Sequence, residues 1–315
     1  MIPIERVRAA ADRARPHIVR TPLVPGPGGA QLKLEALQPT GSFKVRGFFA
    51  AALAAPKDRL ARGLMTVSAG NAAQACAYVA HALGVPCRVV MFDTAPATKV
   101  DGVKRWGGVP IPMPRAELFE WMSRHGWESD PELFIHPFND DEVMAGHGGL
   151  GLELVEDVPD LARVVVPVGG GGLVSGVASA VKALRPGIEV IGVQSDGYPL
   201  WPRVFEAGGP VAIQPATIAD GTTAPFDAKM MDLLKTTVDR WLMVPEPRLR
   251  AAVAELAASA KIVAEGAGAL SFAALEQLPP GPPTVAIVSG GNIDASLLAE
   301  LLTMPKLAAS PTART

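Results

Sequence analysis

Four glycines in a row, directly after an apolar run, are the clearest sign of a binding site in this sequence. They follow Val168 and precede Leu173, where an apolar helical pattern begins. Consecutive backbone N–H groups can converge on one anion, and a helix N-terminus adds a partial positive charge. We therefore predict a phosphate-binding loop; a flexible linker is the alternative, but a linker is not expected between a buried strand and an apolar helix. The loop residues are Gly169, Gly170, Gly171 and Gly172.

Neither common nucleotide-binding pattern is complete at this loop. A mononucleotide loop needs Lys and then Ser or Thr after its last glycine, where this chain has Leu173 and Val174. A dinucleotide fingerprint needs a glycine where Ser175 stands, although Glu189 lies near the spacing of a ribose-binding acid. A nicotinamide-dependent oxidoreductase is therefore kept as an alternative from another class.

A second turn after an apolar run is Ser68-Ala69-Gly70-Asn71. It offers a hydroxyl, an amide and free N–H groups that could bind a carboxylate. The alternative is that Asn71 is only the N-cap of the next helix.

Lys44 is the candidate nucleophile. It lies in the segment Pro39–Gly47, where Thr40 or Ser42 could cap a helix that carries Lys44 in its first turn, next to Phe43. Positive charge is disfavoured at a helix N-terminus, which lowers the pKa of an amine and makes it a better nucleophile. The alternative is a solvated surface lysine.

Ser289 ends the last strong apolar run and is followed by Gly-Gly-Asn, so its hydroxyl could face a cleft; an ordinary glycine turn is the alternative. No metal site is predicted, because the five histidines show no ligand spacing. Cys76 and Cys87 lie among alanines and valines, as free buried thiols do.

Short β-branched runs alternate with helical patterns along most of the chain, which is typical of parallel sheets covered by helices. The strand runs are apolar throughout, so both faces of each sheet should be buried. Ligands of such folds bind beyond the carboxyl ends of the strands, where the turns described above lie. The predicted strands are 65–68, 88–92, 164–168, 189–193 and 284–289, and the predicted helices are 72–83, 97–106, 173–184, 248–261 and 267–278.

Composition excludes two classes of partner. The 29 Lys and Arg residues are balanced by 31 Asp and Glu residues, so no net field attracts nucleic acid or an anionic membrane. No apolar run approaches the roughly 18 residues of a membrane span, and the N-terminal residues have no signal-peptide core. A chain of 315 residues exceeds what one core usually holds, so two domains are expected in a cytoplasmic protein.

Seven motifs in order between Thr21 and Asn292 together resemble the threonine/serine dehydratase and serine racemase family. These are pyridoxal-phosphate enzymes with the fold of the tryptophan synthase β chain. The resemblance implies an α/β fold of two open, twisted, mostly parallel sheets flanked by helices. It places the cofactor in the cleft between a large domain, 1–57 and 140–315, and a small substrate-side domain, 58–139. The motifs are Lys33-Leu-Glu35, Pro39–Gly47, Ser68-Ala-Gly-Asn71, His136-Pro-Phe138, Gly169–Gly172, Thr217-Ile-Ala-Asp-Gly221 and Ser289-Gly-Gly-Asn292.

The resemblance implies roles for these residues. Lys44 would form the Schiff base with pyridoxal 5'-phosphate, and Phe43 would pack beside its ring. Asn71 would bond the ring hydroxyl, and Ser289 would face the pyridine nitrogen. The phosphate would be held by Gly169, Gly170, Gly171, Gly172 and Leu173. The substrate carboxylate site would be Ser68, Ala69, Gly70, Asn71 and Ala72.

A neutral hydroxyl at Ser289 favours elimination, because an acid there would protonate the pyridine nitrogen and strengthen the electron sink that transamination needs. The implied reaction is the dehydration and deamination of L-threonine or L-serine to a 2-oxo acid and ammonia, catalysed by a homodimer. A 3-hydroxyaspartate dehydratase or a serine racemase of the same family is the alternative.

Three departures from the family pattern, and one difference from its racemases, bear on function. Gly148-Gly149 stands where the family usually has Gly-Thr. Ala72 stands where the family usually has His, which leaves the substrate range open. In racemases of the family, the position of Ala69 holds a serine that donates a proton on the cofactor face opposite the lysine. Metal-dependent members place acids where this chain has Gln194 and Leu200, so no requirement for a divalent cation is expected.

Overall fold

Residues 1–304, the part of the chain that the computed structural model describes, fold into two sheets, each packed against helices. The strands are β1 (Leu23–Pro25), β2 (Gln31–Leu34), β3 (Leu64–Val67), β4 (Cys87–Phe92), β5 (Val109–Met113), β6 (Leu133–Phe134), β7 (Arg163–Pro167), β8 (Glu189–Ser195), β9 (Arg240–Val244) and β10 (Thr284–Val288). The helices are α1 (Ile4–Ala14), α2 (Lys44–Ala54), α3 (Lys57–Leu60), α4 (Asn71–Leu83), α5 (Ala97–Lys104), α6 (Arg115–Ser123), α7 (Asp141–Asp157), α8 (Gly172–Leu184), α9 (Leu200–Ala207), α10 (Ala228–Thr237), α11 (Glu246–Glu255), α12 (Gly266–Ala274) and α13 (Ala295–Thr303).

The strand order confirms the predicted α/β class. The larger sheet has the order β1-β2-β10-β7-β8-β9 and is parallel except for β1, which runs antiparallel to β2. The smaller sheet has the order β5-β4-β3-β6 and is parallel throughout. All four strands of the smaller sheet lie within 58–139, while the domain boundaries themselves stay a prediction.

Each strand at the centre of the larger sheet contributes to two cores, one on each face. In β7, Val164 and Val166 pack into the core that includes α7 and α8, whereas Val165 packs into the core that includes α11 and α12. Successive side chains of a strand point to opposite faces. A continuous apolar run is therefore what this strand needs, and it explains why the sequence does not alternate.

All five strands predicted from the sequence are present, with their ends shifted by no more than two residues. The helix predicted over 248–261 is interrupted: α11 ends at Glu255, and a π-helical turn spans Leu256–Ala260 before Lys261 adopts a left-handed φ of 60°. Among residues 1–304, no helix has both the length and the apolar character needed to cross a membrane.

Candidate active site

Lys44 is the first residue of α2, and its amine points back over the preceding loop. Its Nζ donates a hydrogen bond to the carbonyl oxygen of Pro137 at 2.5 Å and lies 5.1 Å from the centroid of the Phe43 ring. Burial lowers the pKa of Lys44 to about 8. The sequence predicted this direction from the helix dipole, but desolvation is the cause in the structure.

The cap predicted for α2 is wrong. Phe43 occupies the N-cap position, and no side chain caps the helix. The hydroxyl oxygens of Thr40 and Ser42 are buried and have no hydrogen-bond partner within residues 1–304. The backbone holds this segment instead, because the Phe43 N–H donates to the Ser289 carbonyl oxygen at 3.1 Å and Ser42 pairs with Gly290.

The four-glycine loop connects β7 to α8, which begins at Gly172, one residue before the predicted start. Gly171 has a φ of +95°, a conformation that side chains disfavour. A Cβ atom on Gly170 would lie 2.3 Å from the Phe138 ring, and one on Gly172 would lie 2.7 Å from the Phe138 carbonyl oxygen. The N–H groups of Gly170, Gly171 and Gly172 donate to no protein acceptor within the described chain. The loop therefore combines close packing with free donors at a helix N-terminus.

The segment Pro137–Phe138 brings the lysine and the glycine loop together. Pro137 accepts the hydrogen bond from Lys44, and the ring of the next residue packs directly on Gly170. On another side of the loop, a Cβ atom on Gly169 would lie 3.0 Å from the Cα atom of Thr222, next to the Thr217–Gly221 motif. Sequence reasoning noted these motifs but gave Pro137 no role.

His136 precedes this segment, and its imidazole ring is neutral. Its Nδ1 accepts the N–H groups of Phe138 at 3.3 Å and Asn139 at 2.9 Å, so its hydrogen lies on Nε2. Burial lowers the pKa of His136 to about 4.

The turn after β3 leads directly into α4, as predicted. The Gly70 N–H donates to the Ser68 Oγ at 3.0 Å, while Ala69 is half-buried and Ala72 is buried. Gly70 is the N-cap, and Asn71 is the first helical residue and caps nothing. Its amide instead contacts two distant residues, donating to the Glu265 Oε1 at 2.5 Å and accepting from the Asn292 Nδ2 at 2.7 Å.

Glu265 is the residue of this region that sequence reasoning missed. It precedes α12 and is 7% exposed. Burial raises its pKa to about 7, with a further contribution from the negative charge of Asp220, and the Asn71 hydrogen bond opposes the shift. An acid inside the apolar stretch Ile262–Leu270 is the signal that could have identified it.

Ser289 lies just beyond the end of β10 and is buried. Residues 43, 44, 169–173 and 289 follow the neighbouring strands β2, β7 and β10 of the larger sheet, whereas residues 68–72 follow β3 of the smaller sheet. Contacts of Pro137, Phe138, Glu265 and Asn292 link these segments. Their individual roles stay predictions.

Comparison with known proteins decides the family. The sequence profile described as "Pyridoxal-phosphate dependent enzyme" matches residues 14–290. The chain belongs to this family. It is 38% identical over 316 residues to the L-threonine ammonia-lyase of Thermotoga maritima, covering 96% of this chain and 78% of that protein. It is also 38% identical to the phenylserine dehydratase of Ralstonia pickettii, covering 92% of this chain and 91% of that protein. The structure of maize serine racemase superposes with a TM-score of 0.89 at 31% identity, covering 95% of this chain and 96% of that one.

The residues of this pyridoxal-phosphate-dependent enzyme fit the cofactor. The unpartnered glycine N–H groups suit a phosphate, the buried amine of Lys44 suits an aldehyde, and the buried hydroxyl of Ser42 has no protein partner. Where metal-dependent relatives are expected to carry acids, the Gln194 Nε2 donates to the Val168 carbonyl oxygen at 3.0 Å, and Leu200 is buried. Within residues 1–304, no cluster of three or more His, Cys, Asp or Glu side chains is arranged to hold a metal ion.

Proposed function

We propose that this chain is an ammonia-lyase that converts L-threonine or L-serine to a 2-oxo acid and ammonia. The observation that carries the proposal is the amine of Lys44, which has a lowered pKa and is held by Pro137 next to a glycine loop with free N–H donors. The name of the Thermotoga relative, an L-threonine ammonia-lyase, supports the same reaction.

Pyridoxal phosphate, when bound, withdraws electrons from the α-carbon of an amino acid and so makes its α-proton removable. The N–H groups from Gly169 to Leu173 would hold the phosphate, and Lys44 would bond the aldehyde carbon. Phe43 would pack beside the ring, Asn71 would donate to the ring hydroxyl, and Ser289 would face the ring nitrogen. A serine hydroxyl there cannot fully protonate that nitrogen, which supports elimination over transamination.

The substrate carboxylate would lie at the N-terminus of α4, on the hydroxyl of Ser68 and the N–H groups of Ala69 to Ala72. That end of a helix favours an anion. The substrate amine would displace Lys44 from the aldehyde carbon, and the freed amine of Lys44 would take the proton from the α-carbon. The Cβ–O bond would then break, and the hydroxyl would leave as water with a proton equivalent to the one taken from the α-carbon. One water would then add to the carbon that bears the nitrogen, which releases ammonia and gives the 2-oxo acid.

The first test is to add L-threonine and L-serine to the holoenzyme and measure 2-oxo acid and ammonia. Lys44→Ala should abolish the activity without unfolding the protein, whereas Lys235→Ala, which removes an exposed lysine, should leave it unchanged. Retained activity in folded Lys44→Ala would refute the mechanism. The visible band of the holoenzyme should also disappear on borohydride reduction, whereas a nicotinamide-dependent enzyme would show no such band.

The same assay separates the remaining substrates. Because Ala72 removes a polar side chain beside the carboxylate site, the screen includes 3-hydroxyaspartate, and phenylserine enters it because one relative is named for that substrate. Serine racemase remains the second candidate, supported by the 0.89 TM-score to the maize enzyme. D-Serine formation distinguishes it.

The proposal also covers the cellular location, the oligomeric state and the partners of the protein. The family resemblance supports a cytoplasmic homodimer that takes a small amino-acid substrate and binds neither nucleic acid nor membrane. Light scattering should give a mass twice the 32.8 kDa of one chain, and a monomer would refute the dimer.

A further inference from the structure

The side-chain amide of Asn71 is held at both ends by other side chains. Its Nδ2 donates to the Glu265 Oε1 at 2.5 Å, and its Oδ1 accepts from the Asn292 Nδ2 at 2.7 Å. Asn292 in turn donates from the same Nδ2 to the carbonyl oxygen of Thr40 at 2.7 Å. These contacts join four separate segments of the chain into one row of hydrogen bonds.

The direction of every bond in this row is fixed from one end. A backbone carbonyl can only accept, so Thr40 requires the nitrogen end of the Asn292 amide. That nitrogen has two hydrogens, and its second one requires the oxygen end of Asn71. The nitrogen end of Asn71 must then face Glu265. If the Asn71 amide were turned over, two donors would meet at Asn292 and two acceptors would meet at Glu265.

One hydrogen of the Asn71 Nδ2 remains after Glu265 has accepted the other. We propose that Glu265 is a positioning residue that holds the Asn71 amide so that this remaining hydrogen is offered to the ring oxygen of the bound cofactor. The inference rests on the proposed function, in which Asn71 contacts that oxygen. Glu265 acts here only as a hydrogen-bond acceptor, so its net charge is not required.

Two glycines keep the space that the row needs. A Cβ atom on Gly290 would lie 2.3 Å from the Glu265 Oε1, and one on Gly41 would lie 2.6 Å from the Asn292 Oδ1. Gly41 also has a φ of +72°. The backbone ties the same parts together, because the Glu265 N–H donates to the Gly290 carbonyl oxygen at 3.1 Å. The position of the Glu265 carboxylate is therefore fixed by the packing and the backbone hydrogen bond around it.

The test compares two substitutions of Glu265 that differ in one property. Glu265→Gln keeps an oxygen that can accept from Asn71, whereas Glu265→Met keeps the length but removes the acceptor. We expect Glu265→Met to weaken pyridoxal phosphate binding by about tenfold, because the partly buried Asn71 amide loses the acceptor that orients it, and Glu265→Gln to bind within about twofold of wild type. The holoenzyme spectrum should move from the visible toward the near-ultraviolet in Glu265→Met but not in Glu265→Gln, because only the methionine variant leaves the ring oxygen without its donor.

A double-mutant cycle tests whether Glu265 acts through Asn71. In an Asn71→Ala background, Glu265→Met should cause no further change in affinity or spectrum. If Glu265→Met does not fold, Asn292→Asp tests the same row from its exposed end, since an aspartate donates to neither Thr40 nor Asn71. It should weaken binding by about threefold, less than Glu265→Met, because water can replace part of the lost hydrogen bonds there.

The outcomes distinguish this inference from the function on which it rests. A wild-type protein that gains no visible band with pyridoxal phosphate would overturn the proposed function and the inference together. A normal wild-type band that neither Glu265→Met nor Asn292→Asp alters would overturn the inference alone. So would Glu265→Gln behaving like Glu265→Met, since the charge and not the acceptor would then matter.

Discussion

Arg46, two residues after Lys44, offers the sharpest test of how the site is held in place. Its guanidinium donates to both carboxylate oxygens of Glu35, at 2.7 and 2.8 Å, and to both of Glu153, at 2.7 and 3.0 Å. Arg46 and Glu35 are 1% and 0% exposed. We expect Arg46→Met to lower the free energy of unfolding by about 3–5 kcal/mol, because the substitution leaves the Glu35 carboxylate buried without its counter-ion.

Urea unfolding at neutral pH measures this effect, and Arg15→Met is the matched control. Arg15 also pairs with an acid, Asp12, but the two side chains are 77% and 65% exposed, so its removal should cost no more than about 1 kcal/mol. Adding Glu35→Leu to Arg46→Met should restore part of the loss, because the unpaired charge is then removed. A loss below about 1 kcal/mol for Arg46→Met would refute the argument that burial makes this pair critical.

The pH dependence of the same variant provides an independent check. Burial raises the pKa of Glu35, but the Arg46 guanidinium, helped by the Thr21 hydroxyl and the charge of Lys33, outweighs burial and holds that pKa below its ordinary value. A carboxyl with a depressed pKa stabilises the fold above its unfolded-state pKa, and this stabilisation is lost as the pH falls. The difference in stability between wild type and Arg46→Met should therefore shrink in acid.

Three further predictions concern the reaction. The rate at which pyridoxal phosphate attaches to the apoprotein should rise with pH up to about 8 and then level off, because only the neutral amine of Lys44 attacks; a rate that keeps rising steeply would refute the lowered pKa. Activity should survive a chelator almost unchanged, because Gln194 offers an amide to Val168 where a hard cation would need anionic oxygens; a large loss that Mg²⁺ reverses would refute this. Racemisation of L-serine should be weak and should increase in Ala69→Ser, because a methyl group cannot donate the proton needed opposite Lys44; substantial D-serine from the unmodified enzyme, seen by chiral chromatography, would favour the racemase.

Sequence reasoning recovered five of the six interior strands, because they are buried on both faces; it missed β2, which is interior but only four residues long. Apart from their first residues, Arg163 and Thr284, β7 and β10 are continuous apolar runs, which is the pattern of a strand buried on both faces. The edge strands of both sheets were not predicted. β5 has the sequence Val-Pro-Ile-Pro-Met, and two prolines normally argue against a strand, while β6 is only two residues long. Their pairing depends on neighbours far along the chain.

Within the site, local chemistry was predictable and long-range contacts were not. The glycine loop and Lys44 are recognisable because their function depends on adjacent residues. The error at Thr40 and Ser42 arose because the backbone of Ser289 and Gly290, almost 250 residues away, replaces the expected side-chain cap. Glu265 was missed for the same reason, since its partner Asn71 lies 194 residues earlier.

The pairing of β2 with β10 has a consequence for synthesis of the protein on the ribosome. The lysine segment emerges early, but its backbone partners Ser289 and Gly290 emerge only after about 245 more residues. At about 5–20 residues per second, Lys44 waits roughly 10 to 50 s before its site can close. During that interval the reactive amine lacks the strand end that fixes its loop. The nascent chain should therefore be unable to capture its cofactor stably until β10 inserts between β2 and β7, which makes holoenzyme formation one of the last events of folding.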